Sequence, residues 1–160
     1  MTTPDFVLAL RERIGHEPLP LTGVTAVVFR DEKVLLGKRA DDGAWEAIAG
    51  ILEPEEEPAD AAVRECLEEA GVVVSVDRLA LVQRIPRVTY ANGDQVDYLD
   101  LVFRCTWVSG DPYPADGELT EVGFYDLGAM GDLAPAHVRK IALALAEDDP
   151  AHFHGGRPRA

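Results

Sequence analysis

The sequence predicts an α/β fold, a mixed β-sheet sandwiched between α-helices. Three observations carry that expectation: β-branched runs bounded by polar turns, segments with apolar residues at helical spacing, and the interleaving of the two kinds along the chain. In "PDFVLALRERIG", Phe6, Val7, Leu10 and Ile14 recur at helical spacing, with Asp5 as a cap and Gly15 as a stop. "GVTAVVFRDEKVLLGKRA" is two β-branched runs about a polar turn, which is a hairpin signal. A loop with Gly43 and Trp45 follows. Pro58 suits a first helical turn, Asp60 places an acid near its positive end and Gly71 suits the position after its last turn, so a helix is expected from about Pro58 to Ala70. "VVVSVDRLALVQRI" and "QVDYLDLVFRCTWV" read as strands. In the second, Leu99, Leu101, Phe103, Cys105 and Trp107 alternate onto one face, which is expected to be core. "EVGFYDL" reads as a further strand, and "AHVRKIALALAEDD" after Pro135 as a final amphipathic helix.

Composition narrows the function. The 160 residues fit one domain, and 47% apolar residues suffice for an ordinary core. A net charge of −14 argues against a nucleic acid polymer or an anionic membrane as partner, because both need basic patches. "MTTPDF" has no basic leader and no apolar run approaches a membrane span, so a cytoplasmic location is expected. Cys66 and Cys105 stand in apolar contexts outside any paired motif and read as small core residues. The histidines, His16, His137, His152 and His154, form no metal-spaced set. The Gly/Pro/Arg-rich end, residues 150–160, reads as a disordered tail.

Between Ala49 and Val72 the chain packs eight acidic residues around a single arginine. On a helical wheel, Val63, Cys66, Leu67 and Ala70 gather on one side, and Glu65, Glu68 and Glu69 on the other at i, i+3 and i+4. Such a patch is either a solvated face or a site for a hard divalent cation, which takes oxygen ligands and relieves their mutual repulsion. Spacing alone leaves both open.

The wider frame is Gly50, then Glu56 after five residues, then after seven more Arg64-Glu65-Cys66-Leu67-Glu68-Glu69-Ala70-Gly71. This resembles the Nudix box of the Nudix hydrolases, and every charged and glycine position of that frame is filled. "VLLGKRADDGAWEAIAG" resembles the family's lead-in to the box. The resemblance covers roughly residues 22 to 130. It implies a Nudix fold, with an N-terminal helical extension over residues 1–20 and a Nudix domain over 21–149. It also implies Mg²⁺ or Mn²⁺ as cofactor, a small-molecule nucleotide as partner, and hydrolysis of a nucleoside diphosphate derivative, ADP-ribose being one form. Nucleoside triphosphates and dinucleoside polyphosphates are the alternative substrates, and a non-catalytic nucleotide-binding module the alternative class. A homodimer stays open.

Carried over by position, the resemblance makes Glu65 and Glu69 metal ligands, with Glu68 beside them and the Ala49 carbonyl as a main-chain ligand. Arg64 would pair with Glu56 or another box carboxylate, and Gly50, Glu56 and Gly71 would shape the motif. For the catalytic base, "DPYPADGELTEVGF" offers Asp111, Asp116, Glu118 and Glu121. Glu118 is preferred and Glu65 is the other candidate. Arg39 could meet a phosphate or base, while Trp45 could stack on substrate or fill core. Pro86 and Tyr90 lie near positions linked with ADP-ribose and diadenosine substrates. Two departures stand out: Ala49 and Glu55 occupy places where the family usually has glycine, and Cys66 is a milder change.

Overall fold

The computed structural model describes residues 3–129 and 133–156. Helix α1 (Asp5–Ile14) precedes strand β1 (Leu19–Arg30), which turns into β2 (Lys33–Arg39). Short strands β3 (Trp45–Glu46) and β4 (Ile48–Ile51) lead to helix α2 (Pro58–Ala70). Then come β5 (Val73–Arg84), β6 (Val88–Thr89), β7 (Gln95–Ser109), β8 (Leu119–Asp126), helix α3 (Pro135–Leu145) and β9 (His152–Phe153). No helix among the described residues is long and apolar enough to cross a membrane.

Strand β1 organises the sheet. It runs parallel to β7 from Leu19↔Val96 to Phe29↔Thr106, and β7 pairs antiparallel with β5. The other edge of β1 is shared: β4 covers Gly23 to Ala26, and β2 joins only at Phe29 and Arg30 before diverging to pair with β8. The hairpin turn places Asp31 at a φ of 56°, the left-handed conformation that tight two-residue hairpins require.

Both faces of the sheet are covered, which explains the near-continuous apolar run of β1. Val24, Ala26 and Val28 pack with Ala62, Cys66 and Ala70 of α2, while Val27 and Phe29 pack with Ile141 and Ala144 of α3. Helix α1 closes one end by placing Val7 against Leu21, Ile51, Val96 and Tyr98.

Several details differ from the sequence reading. Pro4, not Asp5, occupies the cap position of α1, and Asp5 lies inside the first turn without a capping hydrogen bond. Strand β1 begins at Leu19, inside the segment assigned to the N-terminal extension. On β7, Leu101, Phe103, Cys105 and Trp107 pack toward α2 as expected, but Leu99 is 46% exposed. The opposite face of β7 buries Asp100 and Arg104, which the one-faced pattern does not reveal. The tail is not wholly without structure, because His152 and Phe153 pair in parallel with Leu81 and Val82. The edge of β5 offers unpaired backbone groups that this segment satisfies; residues 157–160 lie outside the described residues.

Two buried polar networks fix α3. Lys140 Nζ lies 2.8 Å from Asp100 Oδ2 and donates to Thr25 Oγ1 at 3.0 Å, and Gln83 also donates to Asp100. At the far end, Arg78 donates to the carbonyls of Leu143 and Ala146, and Arg104 to those of Ala144 and Leu145. Four carbonyls left without helical partners are thereby satisfied, with two cations at the negative end of the helix.

The turn before α2 shows strain at one residue. The Glu56 amide donates to the Glu53 carbonyl at 3.3 Å, with Pro54 second and Glu55 third at a φ of 66°. A turn with Pro second and positive φ third favours glycine at the third place, and an L-residue there costs about 1–2 kcal/mol. Glu55→Gly is therefore expected to raise unfolding free energy by about 1 kcal/mol, after the loss of chain entropy is counted. Urea denaturation of the two proteins measures it, and an unchanged midpoint would show that the turn carries no strain.

Candidate active site

Helix α2 is rotated relative to the simple wheel. The stripe against the sheet is Ala61, Ala62, Cys66 and Ala70, all small, so the helix approaches closely. Leu67, expected on the apolar side, is 54% exposed, whereas Glu69 is only 5% exposed. Glu65 is nearly buried, and Glu68 stands at the outer edge.

Arg64 ties this row together. Its Nε and Nη2 donate to the two oxygens of Glu56 at 2.8 and 2.9 Å, while Nη1 donates to Glu65 Oε1 at 2.8 Å and Glu68 Oε2 at 3.1 Å. Nη2 also reaches the Ile51 carbonyl, at 3.2 Å. The two-pronged contact to Glu56 fixes the guanidinium plane, so Glu65 and Glu68 meet a preset donor. The same contact holds the Glu56 carboxyl below its ordinary pKa.

Two backbone features let the carboxylates converge. A β-carbon at Gly50 would lie 1.8 Å from Glu65 Oε1, so only glycine admits Glu65 there. Gly71 adopts a φ of 66° and ends the helix, its amide bonded to the Leu67 carbonyl at 3.1 Å. Beyond it, the loop before β8 docks on the same helix end, with the amides of Tyr113 and Ala115 donating to the carbonyls of Ala70 and Glu69. That docking carries Asp116 and Glu118 to the acidic row. The Glu118 amide bonds Asp116 Oδ1 at 2.9 Å, and its carbonyl accepts from Ala40.

Three cavities surround these groups. One of about 450 Å³ is lined by Arg64, Glu65, Glu68, Asp116 and Glu118, with Thr3 to Asp5 of the N-terminal segment as its wall. A smaller one, about 130 Å³, holds Glu69, Glu118, Glu46, Ala49 and Arg39. A cleft of about 470 Å³ continues past Arg39, Glu46 and Ala49 to Gln83, Pro86, Tyr90, His137 and Lys140.

The electrostatics follow from crowding. Burial, followed by the charges of Glu65, Glu118, Asp116 and Glu46, pushes the Glu69 carboxyl from an ordinary 4.5 to about 9. Burial also raises Glu65, with Arg64 opposing it. Glu46 is raised by burial in the same way, against the pull of Arg39. His137 is lowered to about 4, first by burial and then by Lys140.

The structure thus brings together Glu65, Glu68, Glu69, Arg64, Glu56, Gly50, Ala49 and Glu118. Ala49 lies in β4 opposite Thr25 and is not among the residues with positive φ, so alanine sits there without strain. Arg39 adjoins the cluster through Glu46, at 3.0 Å, and is also paired with Asp41. Trp45 stands apart, edge-on to Tyr125 at 5.0 Å in the core beneath α3. Of the other loop acids, Glu121 pairs with Lys38 at 2.7 Å and Asp111 is exposed. Asp116, one of the loop acids that the sequence offers, joins the acidic group, and Glu46 joins it unforeseen. Glu46 could have been found, since neighbours on a strand face opposite ways and Trp45 points into the core.

Among the described residues, no three acidic, histidine or cysteine groups already form a ligand cage for a metal ion. The donor chemistry nevertheless fits a hard divalent cation. The cluster consists of oxygen donors with more negative charge than Arg64 neutralises, and a cation beside Glu69 would favour the ionised carboxylate that burial and its acidic neighbours disfavour.

The comparisons with known proteins agree with this arrangement. A family model described as the NUDIX domain matches residues 19–144. A "MutT-like protein" from Streptomyces ambofaciens is 40% identical over 143 residues, covering 88% of this chain and 87% of that protein. Among solved structures, a NUDIX hydrolase from Nitrosomonas europaea superposes with a TM-score of 0.65 at 25% identity, covering 84% of this chain and 76% of the other. An ADP-ribose pyrophosphatase from Streptococcus suis shares the fold, with a TM-score of 0.67 at 23% identity over 85% of this chain and 100% of that one.

The raised Glu69 carboxyl sets a pH dependence. The folded state holds a proton that the unfolded state releases near 4.5, so the stabilisation is complete below that pH and is lost as pH rises toward 9. With chelator present, the melting temperature is expected to fall between pH 5 and 9, and Glu69→Gln to flatten the fall. Parallel pH profiles for the two proteins would refute the coupling.

Proposed function

Because this chain belongs to the Nudix family, and is thereby a hydrolase acting on pyrophosphate bonds, we propose that it cleaves the diphosphate linkage of a nucleoside diphosphate derivative, ADP-ribose-like in form, with Mg²⁺ or Mn²⁺ as cofactor. The observation that supports this most is the convergence of Glu69, Ala49 and Glu118 on a small cavity that shares Arg39, Glu46 and Ala49 with a nucleotide-sized cleft, while Glu65 lines the neighbouring cavity on the other side of Glu118.

In this reading Glu65 and Glu69 hold the cation with the Ala49 carbonyl, and Glu68 joins directly or through water. The bound cation supplies charge neutralisation at the phosphoryl oxygens and acidifies water. Arg64 keeps Glu65 and Glu68 in place through its grip on Glu56, the kind of supporting contact on which ligand geometry depends. Glu118, on a loop anchored at Ala40 and Asp116, accepts the proton of the attacking water, with Glu65 as the other candidate. Arg39 orients the diphosphate from the junction of the cavities. Nucleoside triphosphates and dinucleoside polyphosphates are the alternative substrates.

Turnover on a panel of nucleotides, with and without Mg²⁺, tests the reading. Glu69→Gln is expected to lower kcat by at least roughly two orders of magnitude without unfolding the chain. Ala49→Gly should stay within about twofold of wild type, since alanine is unstrained at that position. A wild-type chain inert toward the whole panel would instead point to a nucleotide-binding module. A second expectation concerns the base: Glu118→Gln should slow catalysis by about 10- to 100-fold while keeping the Mg²⁺-induced rise in melting temperature. If Asp116→Asn produces that loss and Glu118→Gln does not, the role belongs to Asp116.

A further inference from the structure

Resting on the hydrolase reading above, in which Arg39 orients the diphosphate, we infer that Asp41 is a built-in competitor for that arginine. Its carboxylate holds the edge of Arg39 that the diphosphate needs, is displaced when substrate binds, and thereby sets how tightly the chain holds a nucleotide.

The guanidinium is held from two sides. Arg39 Nε donates to Asp41 Oδ1 at 2.8 Å and Nη2 donates to Asp41 Oδ2, while Nη1 donates to Glu46 Oε1 at 3.0 Å. Three of its five N–H groups are thus committed to carboxylates. The two taken by Asp41 form the parallel pair that also matches two oxygens of one phosphate group. A phosphate therefore cannot take that edge of Arg39 while Asp41 keeps it. The same contact holds the Asp41 carboxyl below its ordinary pKa, so the competitor stays charged at neutral pH.

Backbone and burial decide which partner yields. The pairing of β2 with β8 shifts register between Lys38 and Arg39, an irregularity of the kind that re-aims a side chain. Arg39 then pairs with Leu119, and the Ala40 amide donates to the Glu118 carbonyl, so Arg39 is set on the loop that carries Glu118. Asp41 lies two residues on, in the turn to β3, and lines the small cavity with Arg39, Glu69 and Glu118. The Glu46 side chain is 19% exposed and that of Asp41 62%. Taking Arg39 from Glu46 would leave a largely buried carboxylate without its cation, whereas Asp41 returns to water that it already touches. Glu46 thus stays as the contact that positions Arg39, and Asp41 leaves. Asp42, 3.5 Å from Arg39 Nε, is held by the turn itself, accepting from the Ala44 amide at 2.9 Å.

Calorimetry in Mg²⁺ with α,β-methylene-ADP, whose diphosphate resists hydrolysis, makes the test. Asp41 is exposed and is not among the residues with positive φ, so alanine or asparagine fits there. Asp41→Ala should bind the analogue about three- to fivefold more tightly than wild type, the fold-change expected for release of an exposed pair, and Asp41→Asn should shift in the same direction. In an Arg39→Gln background the gain from Asp41→Ala should vanish, because the competition acts through Arg39 alone. Equal affinities of wild type and Asp41→Ala, weaker binding by Asp41→Ala, a gain that persists without Arg39, or no measurable binding to any variant would overturn the proposal. A separate assay of ADP-ribose hydrolysis by wild type in Mg²⁺ keeps the two readings apart. An Arg39-dependent gain without turnover sinks the hydrolase and leaves Asp41 the competitor in a nucleotide-binding module, and turnover without the gain sinks the competitor alone.

Discussion

Arg64 is the contact on which the acidic half of the molecule depends. Carboxylates at i, i+3 and i+4 on one helix repel, and burying two of them makes the repulsion worse. The guanidinium spans Glu56, Glu65 and Glu68 and reaches the Ile51 carbonyl, so one side chain fixes the loop before α2, the helix itself and the end of β4. Glu69 lies beyond its reach and absorbs the residual crowding as a raised carboxyl. The arrangement is fixed in its frame and strained at one point, which is compatible with the cation site proposed there.

The two places where glycine is replaced behave differently. Ala49 sits in a regular strand, where a methyl group meets no backbone penalty. Glu55 occupies the positive-φ position of a turn and bears the strain locally. Gly50, which did remain glycine, is the position where a side chain would collide with Glu65. Clearance at 50 is thus what lets Glu65 keep this rotamer, while backbone freedom at 55 relieves a local turn.

Much of this was legible in the chain. Pro58 and Gly71 bounded α2 correctly, the polar turn at Asp31 announced the hairpin, and the spacing from Gly50 to Gly71 carried the family. What stayed hidden depends on distance in space. The wheel could not know that small residues would rotate α2 until Glu69 was buried and Leu67 exposed. Asp100 and Lys140 look like surface charges until two elements forty residues apart enclose them. The pairing of His152 with Leu81 needs an open sheet edge that no local pattern encodes.

The parallel pairing of β1 with β7 has a further consequence, for the order of folding. Residues 19–29 find their partners at 96–106, so the central ladder cannot close until most of the chain is available. Such long loop closure slows folding, and the apolar run from Val24 to Phe29 is exposed while it waits. Helix α2 lies between these strands in sequence and packs on both. The acidic row it carries therefore reaches its final surroundings late, after the ribosome has released β7, and a nascent chain lacking that strand has β1 and β4 to lie under the helix but not the central ladder that holds them in place.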